Sequence, residues 1–482
     1  MKRKFIVLGV MLLAITFTTP ADPAALPRKK LIMTGWDQPD AAQFRRDLAE
    51  FEKTPFDGVI LSVPGKKPDG TTFTSFNNLF SREPWTETMF AEAVADLKAA
   101  RSSKVTENFL ILWALPGDVD WFDDAGWAVV NEKFRIMARV ARQGGLRGIL
   151  FDPELYGEKH KAWRFLAQSN WSQHAFSEYS AKVRQRGQET MRAMAGEFPD
   201  LTLFGYWLTS VCLRAVDESG SLAGLAAEDY GLYPAFVDGW LAAAPATVKF
   251  VDGQEFAYRW DGEAAFQAGA LRVKNDCQVF ITPANRAKYR SQVQASFGFY
   301  LDGYVNPPGS SYYIGREGEP RVQRLESNLE AAVGAADEYV WIYGEKNRWW
   351  PARHPGAPPA TNWVEALPGI ELALLRAKNP SEAARRLLTS AATTNLLRNG
   401  DFRDVTDGKA AAWWIWQDEK DATGTFGLDP KLAHRATGQD GKRLLRSESF
   451  RKARRALCLR RKAAAGRAGV GDAARRLEGR SR

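Results

Sequence analysis

Asp152 and Glu154 stand two residues apart in Phe151-Asp152-Pro153-Glu154-Leu155-Tyr156, at the end of the apolar run Leu146-Arg147-Gly148-Ile149-Leu150-Phe151. The run has the pattern of a buried strand, and residues i and i+2 of an extended chain share a face. Two carboxylates that close raise each other's affinity for protons. One of them can then donate a proton near neutral pH. The same residues also fit a helix N-cap at Asp152.

Other acids and aromatic residues recur at comparable places. Short apolar runs and helical patterns alternate from about residue 30 to 346. The expected strands are 30–36, 56–63, 108–115, 146–151, 201–208, 246–251, 292–300 and 338–343. Amphipathic helices are expected over 41–53, 86–101, 127–143 and 169–197. In 41–53, Phe44, Leu48 and Phe51 fall on one face. Eight such repeats predict an α/β fold, a (β/α)8 TIM barrel, with a doubly wound open sheet as the alternative. No glycine-rich phosphate-binding loop follows a strand, which argues against the nucleotide-binding version.

A barrel carries its site at the carboxyl ends of its strands. Those ends supply Trp36 and Asp37, then Trp113, then Asp152 and Glu154, then Tyr206 and Trp207. Beyond them come Asp252 and Glu255, Asp302 and Tyr304, and finally Tyr343, Glu345, Lys346, Arg348, Trp349 and Trp350. Two carboxylates around a cleavable bond, with aromatic platforms beside them, are what glycoside hydrolysis requires. Glu154 is the expected acid and Asp152 its tuning neighbour. Glu255 is the first choice for the second carboxylate, ahead of Glu345 and then Asp302. Glu345 also fits an ion pair with Lys346 or Arg348. Trp36, Trp113, Tyr206, Trp207, Asp302, Tyr343, Trp349 and Trp350 are the expected substrate contacts.

Other chemistries find less support. The four histidines, His160, His174, His354 and His434, form no metal-ligand spacing, and no G-x-S-x-G elbow is present. Asp118, Asp120, Asp123 and Asp124 could bind calcium but lack the spacing of a calcium loop. No metal and no cofactor is expected. A non-catalytic sugar-binding barrel, and a barrel enzyme of another class such as a lyase or deacetylase, remain the alternatives.

The chain of 482 residues has 45% hydrophobic and 26% charged residues, a globular composition, and an unusual 17 Trp. Indole faces stack on sugars but also fill large cores. Lys2-Arg3-Lys4 followed by the apolar 5–17 predicts a signal peptide over 1–25, hence a secreted or periplasmic protein with no stable membrane span after cleavage. Three scattered cysteines, Cys212, Cys277 and Cys458, exclude a disulfide scaffold. The net charge of +9 resides in the tail. Residues 451–482 hold twelve Lys and Arg against Asp472 and Glu478, so the body is close to neutral and offers nucleic acid no basic face. The tail reads as a nucleic-acid or surface-binding arm, or as an out-of-frame end. A carbohydrate is the expected partner; the oligomeric state is left open.

With FDPELYG (151–157), VDGQEF (251–256) and WIYGEKNRWW (341–350), the chain resembles the exported (β/α)8-barrel glycoside hydrolases over roughly 30–388. The resemblance implies a barrel over 30–390, closed by a helix over 363–388 that breaks at Pro380. Pro153 stands where the best-known clan has Asn. The Asp-x-Glu ending is similar to that of the chitinase-like D-x-x-D-x-D-x-E motif, with Leu150 at the nearer of its upstream aspartate positions. NLLRNGDF (395–402) and AWWIWQDEK (412–420) resemble the first strands of a carbohydrate-binding β-sandwich, which implies a partial sandwich over 395–446 and a basic disordered tail over 447–482.

Overall fold

The structure is a computed structural model. It describes residues 28–154, 156, 161–352 and 361–389, with short strands between 405 and 447. The expected signal peptide and basic tail lie outside the described residues. Contacts divide the chain into two units, 1–314 with 335–362, and 315–334 with 363–482.

The first unit is an α/β barrel. Its strands are β1 (Lys30–Gly35), β2 (Gly58–Leu61), β3 (Phe109–Trp113), β4 (Gly148–Asp152), β5 (Thr202–Gly205), β6 (Lys249–Asp252), β7 (Val293–Ala295), β8 (Phe297–Tyr300) and β9 (Tyr339–Gly344). All neighbours pair in parallel, in the order β8-β9-β1-β2-β3-β4-β5-β6-β7. The run expected as one strand over 292–300 is split at Ser296. Its first half pairs with β6 and its second with β9, so one segment spans the seam and the barrel is nearly closed. This continuity decides for the barrel over an open sheet.

Helices α1 (Ala41–Phe51), α2 (Ala91–Ala99), α3 (Asp124–Gln143), α4 (Phe176–Glu197), α5 (Tyr233–Ala243), α6 (Glu263–Lys274) and α7 (Arg286–Gln292) fill the crossovers. α1 starts where its sequence says it should: Asp40 caps it by accepting the Gln43 N–H at 2.8 Å, and Phe44, Leu48 and Phe51 are buried. α4 begins at Phe176 rather than Ser169, because 161–175 form turns and a short 3-10 segment, Phe165–Ala167. Cys212 and Cys277 are buried free thiols.

Tyr339, Trp341 and Tyr343 alternate along β9 and point into the barrel, since they reach strands that do not neighbour β9. Tyr339 meets Phe109 and Phe204 at the floor, and Trp341 stacks on Tyr206 at 4.5 Å in the middle. At the amino ends of the strands, Glu338 accepts hydrogen bonds from Lys30 (2.7 Å), Lys249 (3.0 Å) and Gln294 (3.0 Å). Glu107 beside it takes the Tyr339 hydroxyl at 2.8 Å and pairs with Lys30.

In the second unit, α8 (Arg321–Ala335) is tied by Glu326 to Arg376 at 3.2 Å. The helix expected over 363–388 is three: α9 (Trp363–Ala366), α10 (Ile370–Lys378) and α11 (Pro380–Thr389). Gly369, at φ 91°, turns the chain between the first two, a conformation that costs glycine little. Pro380 opens α11, where its missing N–H matters least. Within the region expected as a partial sandwich, three short antiparallel pairs join 405–406 with 409–410, 413–416 with 444–447, and 424–427 with 435–438.

Burial alone would raise the Glu338 carboxyl, but the bonds from Lys30, Gln294 and Lys249 outweigh it and hold the group at about 2 instead of 4.5. A depressed carboxylate stabilises the fold above its unfolded value and loses that contribution as pH falls through the folded value. Glu338→Gln is therefore expected to lower stability by about 3 kcal/mol at neutral pH. The difference from the parent should vanish as pH approaches 2, read by denaturant titration across pH.

Candidate active site

β4 delivers Asp152 to the carboxyl end of the barrel, where Pro153 turns the chain. Two indoles fix that turn through backbone carbonyls. The Trp163 N–H donates to Pro153 O at 2.9 Å, and the Trp113 N–H donates to Glu154 O at 3.0 Å. The Glu154 backbone N–H closes the turn on Asp152 Oδ1 at 2.9 Å. The backbone is thus satisfied without the Glu154 carboxyl, which stays available. Among the described residues, Tyr156 engages it, donating its hydroxyl to Oε2.

Glu255 arrives from β6 by a different device. Gly253 and Glu255 continue the strand pairing, donating to Gly205 O at 2.9 Å and Tyr206 O at 3.1 Å. Between them, Gln254 adopts a left-handed conformation, φ 42° and ψ 64°, which non-glycine residues seldom occupy. Its side chain holds that shape by donating to Ser296 O at 3.2 Å. A Cβ at Gly253 would sit 2.5 Å from Gly205 O and 2.8 Å from the Trp341 indole nitrogen, so only glycine fits. The indole in turn donates to Gly253 O at 2.8 Å.

Asp152, Glu154 and Glu255 act on one another electrostatically. Burial pushes Asp152 well above the usual carboxylate range, and the Glu154 charge adds to this against the pull of the Glu154 N–H. Burial likewise pushes Glu255 well up, with Glu154 and Asp152 adding to it. Glu154 is raised by burial and partly drawn back by the Tyr156 hydroxyl. Among the described residues, no lysine, arginine or histidine is among the groups that shift these three acids. Among the described residues, Glu255 Oε2 is buried without a hydrogen-bond partner.

Aromatic residues line the same space. The Tyr206 hydroxyl meets Thr34 Oγ1 at 3.1 Å across the barrel, and the Asp152 charge reaches it. Tyr258 stacks near Tyr343 at 5.7 Å and Tyr300 at 5.1 Å, and it feels Glu255 and Glu154. Burial raises the Tyr343 hydroxyl, with the nearby Glu345, Glu154 and Glu255 charges adding to it and the Trp36 indole acting against it. Trp36 is 69% exposed, Tyr156 50% and Phe256 49%, giving the mouth a rim of open rings.

The expected site residues thus divide. Asp152, Glu154 and Glu255 come together with Tyr206 and Tyr343. Trp113 is half-buried beside them, edge-on to Tyr156 at 5.2 Å. Trp207 is largely covered but stacks on the exposed Phe256 at 5.6 Å. Glu345 lies one tyrosine away: burial raises it, Tyr300 and Tyr343 draw it part of the way back, and its charge is not among those that move the three acids. The amine of Lys346 goes to Asn306 rather than to Glu345.

Asp302 and the Trp349–Trp350 pair have other work. Asp302 is buried, and its two oxygens accept the N–H groups of Glu345 at 2.8 Å and Lys346 at 3.0 Å, so it clamps the loop after β9. Trp350 is 2% exposed and stacks on Phe51 of α1 at 4.2 Å, and Trp349 lies edge-on to Phe56 at 5.0 Å. Asp37 holds this pair by accepting both backbone N–H groups, at 2.5 and 3.2 Å. The expectation of open indole platforms there gives way to packing, because the chain after β9 turns against the buried face of α1. Tyr156, Phe256, Tyr258 and Trp341 were not foreseen at the site. Only the alternation along 339–343 carried a signal for Trp341. Among the described residues, no group of three His, Cys, Asp or Glu is arranged to hold a metal ion.

No family model and no curated protein sequence matches this chain. Among solved structures it is similar to a β-mannanase from the blue mussel Mytilus edulis, at 13% identity and TM-score 0.37, covering 73% of this chain and 97% of that one. It is similar to a GH5-4 broad-specificity endoglucanase from an uncultured bacterium, at 11% identity and TM-score 0.37, covering 70% and 86%. A third likeness is to the GH20 catalytic modules of the pneumococcal exo-β-D-N-acetylglucosaminidase, at 11% and 0.35, covering 78% and 90%. Likenesses at these scores carry no argument about this chain, whose barrel is established by its own strand order and register.

Trp350→Ala and Trp36→Ala should separate packing from rim. The first is expected to cost about 3–5 kcal/mol in denaturant unfolding, the usual cost of emptying a buried aromatic site. The second should change stability by less than about 0.5 kcal/mol, as at an exposed position.

Proposed function

We propose that this protein is a glycoside hydrolase acting on a poly- or oligosaccharide through Glu154 and Glu255. The observation that carries the reading is the convergence of Asp152, Glu154 and Glu255 at the carboxyl end of the barrel, all raised by burial, with no basic side chain among the described residues perturbing them, under a rim of exposed rings. Glycosidic cleavage needs a carboxylic acid that is protonated before the step and a second carboxyl on the other side of the bond. An acid that must give a proton and take one back works best when its pKa lies near the working pH. Glu154 meets that condition better than its neighbours, because the Tyr156 hydroxyl offsets part of the effect of burial.

In this reading Glu154 protonates the leaving oxygen and Glu255 faces the anomeric carbon or its attacking water. Asp152, buried and accepting the Glu154 N–H, keeps its proton and holds the turn that presents Glu154. Trp36, the Trp207–Phe256 pair and the Trp113–Tyr156 pair offer ring faces to sugar C–H groups. Sugar hydroxyls supply Glu255 Oε2 with the donor it lacks. The basic and apolar first residues fit export, which would place the enzyme with extracellular or periplasmic glycans.

The test is hydrolysis of a glycan panel by the parent and by Glu154→Gln. The amide is expected to lose roughly 10²–10⁴-fold in kcat while still binding the sugar. A parent that cleaves no glycan, or an amide variant that keeps its rate, would reject the proposal. The pH profile gives an independent reading. Tyr156 donates to the Glu154 anion and so favours loss of its proton. Tyr156→Phe should raise the Glu154 pKa and move the alkaline limb of kcat/KM to higher pH.

A further inference from the structure

Neutral sugars do not account for the whole charge arrangement. Three carboxyls share a space in which burial and mutual repulsion both oppose ionisation, and the groups that shift them include no cation among the described residues. Elsewhere the same chain satisfies its strand-end acids with its own donors. Asp302 accepts two backbone amides, and Asp252 accepts the Ser210 hydroxyl at 2.6 Å and its N–H at 3.2 Å. Glu255 Oε2 is shielded from solvent and has no donor among the described residues, although the residue before it, Gln254, is held left-handed. A sugar hydroxyl would fill that hydrogen bond and leave the repulsion in place. A ligand ammonium would do both, in a setting where attraction is weakened little by water. Tyr258 and Tyr343, both within reach of the Glu154 and Glu255 charges, add the aromatic walls on which cations sit favourably.

We infer that the site is built for a free amino sugar, with the protonated amine held by Glu255 beside the rings of Tyr258 and Tyr343. The substrate class is then an oligosaccharide carrying unacetylated amines. This rests on the hydrolase reading above and narrows it.

The test uses three monosaccharides that contain no bond to cleave: glucosamine, N-acetylglucosamine and glucose, each titrated calorimetrically into the full-length protein. Glucosamine is expected to bind roughly ten-fold or more tightly than either neutral sugar. Glu255→Gln, an isosteric change, should reduce that preference to less than about three-fold. Equal binding of glucosamine and glucose, or tighter binding of the N-acetylated sugar, overturns the inference. If the parent cleaves neutral glycans while showing no amine preference, the amino-sugar assignment falls and the hydrolase stands. If it binds no sugar and cleaves no glycan, both fall.

Discussion

Where a carboxylate gets its donors governs this molecule. A buried ionised carboxylate is costly unless hydrogen bonds or a cation compensate it. Asp302, Asp252 and Asp37 receive backbone amides and serve as clamps on loops. At the turn after β4 the arrangement is reversed. The indoles of Trp113 and Trp163 donate to backbone carbonyls, so the turn is rigid without consuming the carboxyl of Glu154. At Glu255 the amide is spent on Tyr206 O in continued strand pairing. The carboxyls left over gather in one place, where burial raises their affinity for protons.

Charge is segregated along the barrel axis. The amino ends of the strands hold a compensated network, with Lys30 and Lys249 on Glu338, and Lys30 again on Glu107. The carboxyl ends hold the uncompensated acids. Between them lie Tyr339, Phe109 and Phe204, then Trp341 and Tyr206. This aromatic filling separates floor from mouth and withholds water from below, which strengthens electrostatic effects above it. One strand, β9, supplies a ring to each level because its side chains alternate. The packing of the core and the walls of the site are thus built from the same short run.

Much of this was legible in the chain itself. Alternating apolar runs and helical patterns indicated a barrel, and the proximity of Asp152 and Glu154 followed from a two-residue spacing at a strand end. Glu255 was found because it lies three residues beyond a strand. The helix boundaries after β4 were missed, since turn-forming residues over 161–175 resembled the start of α4. The split at Ser296 was also hidden, because both halves have strand composition and only their different partners distinguish them.

Local spacing determined which residues stand at the mouth of the barrel, because strand period and strand end are properties of contiguous sequence. It did not determine which of them remain free to act. Asp302 resembles a site residue in the sequence, yet it is occupied by amides from residues 345 and 346. Trp350 has the composition of a sugar platform, yet it is stacked on Phe51, some three hundred positions earlier. Hydrogen-bond partners and ring contacts come from segments remote in the chain, and only the closed barrel brings those segments into reach.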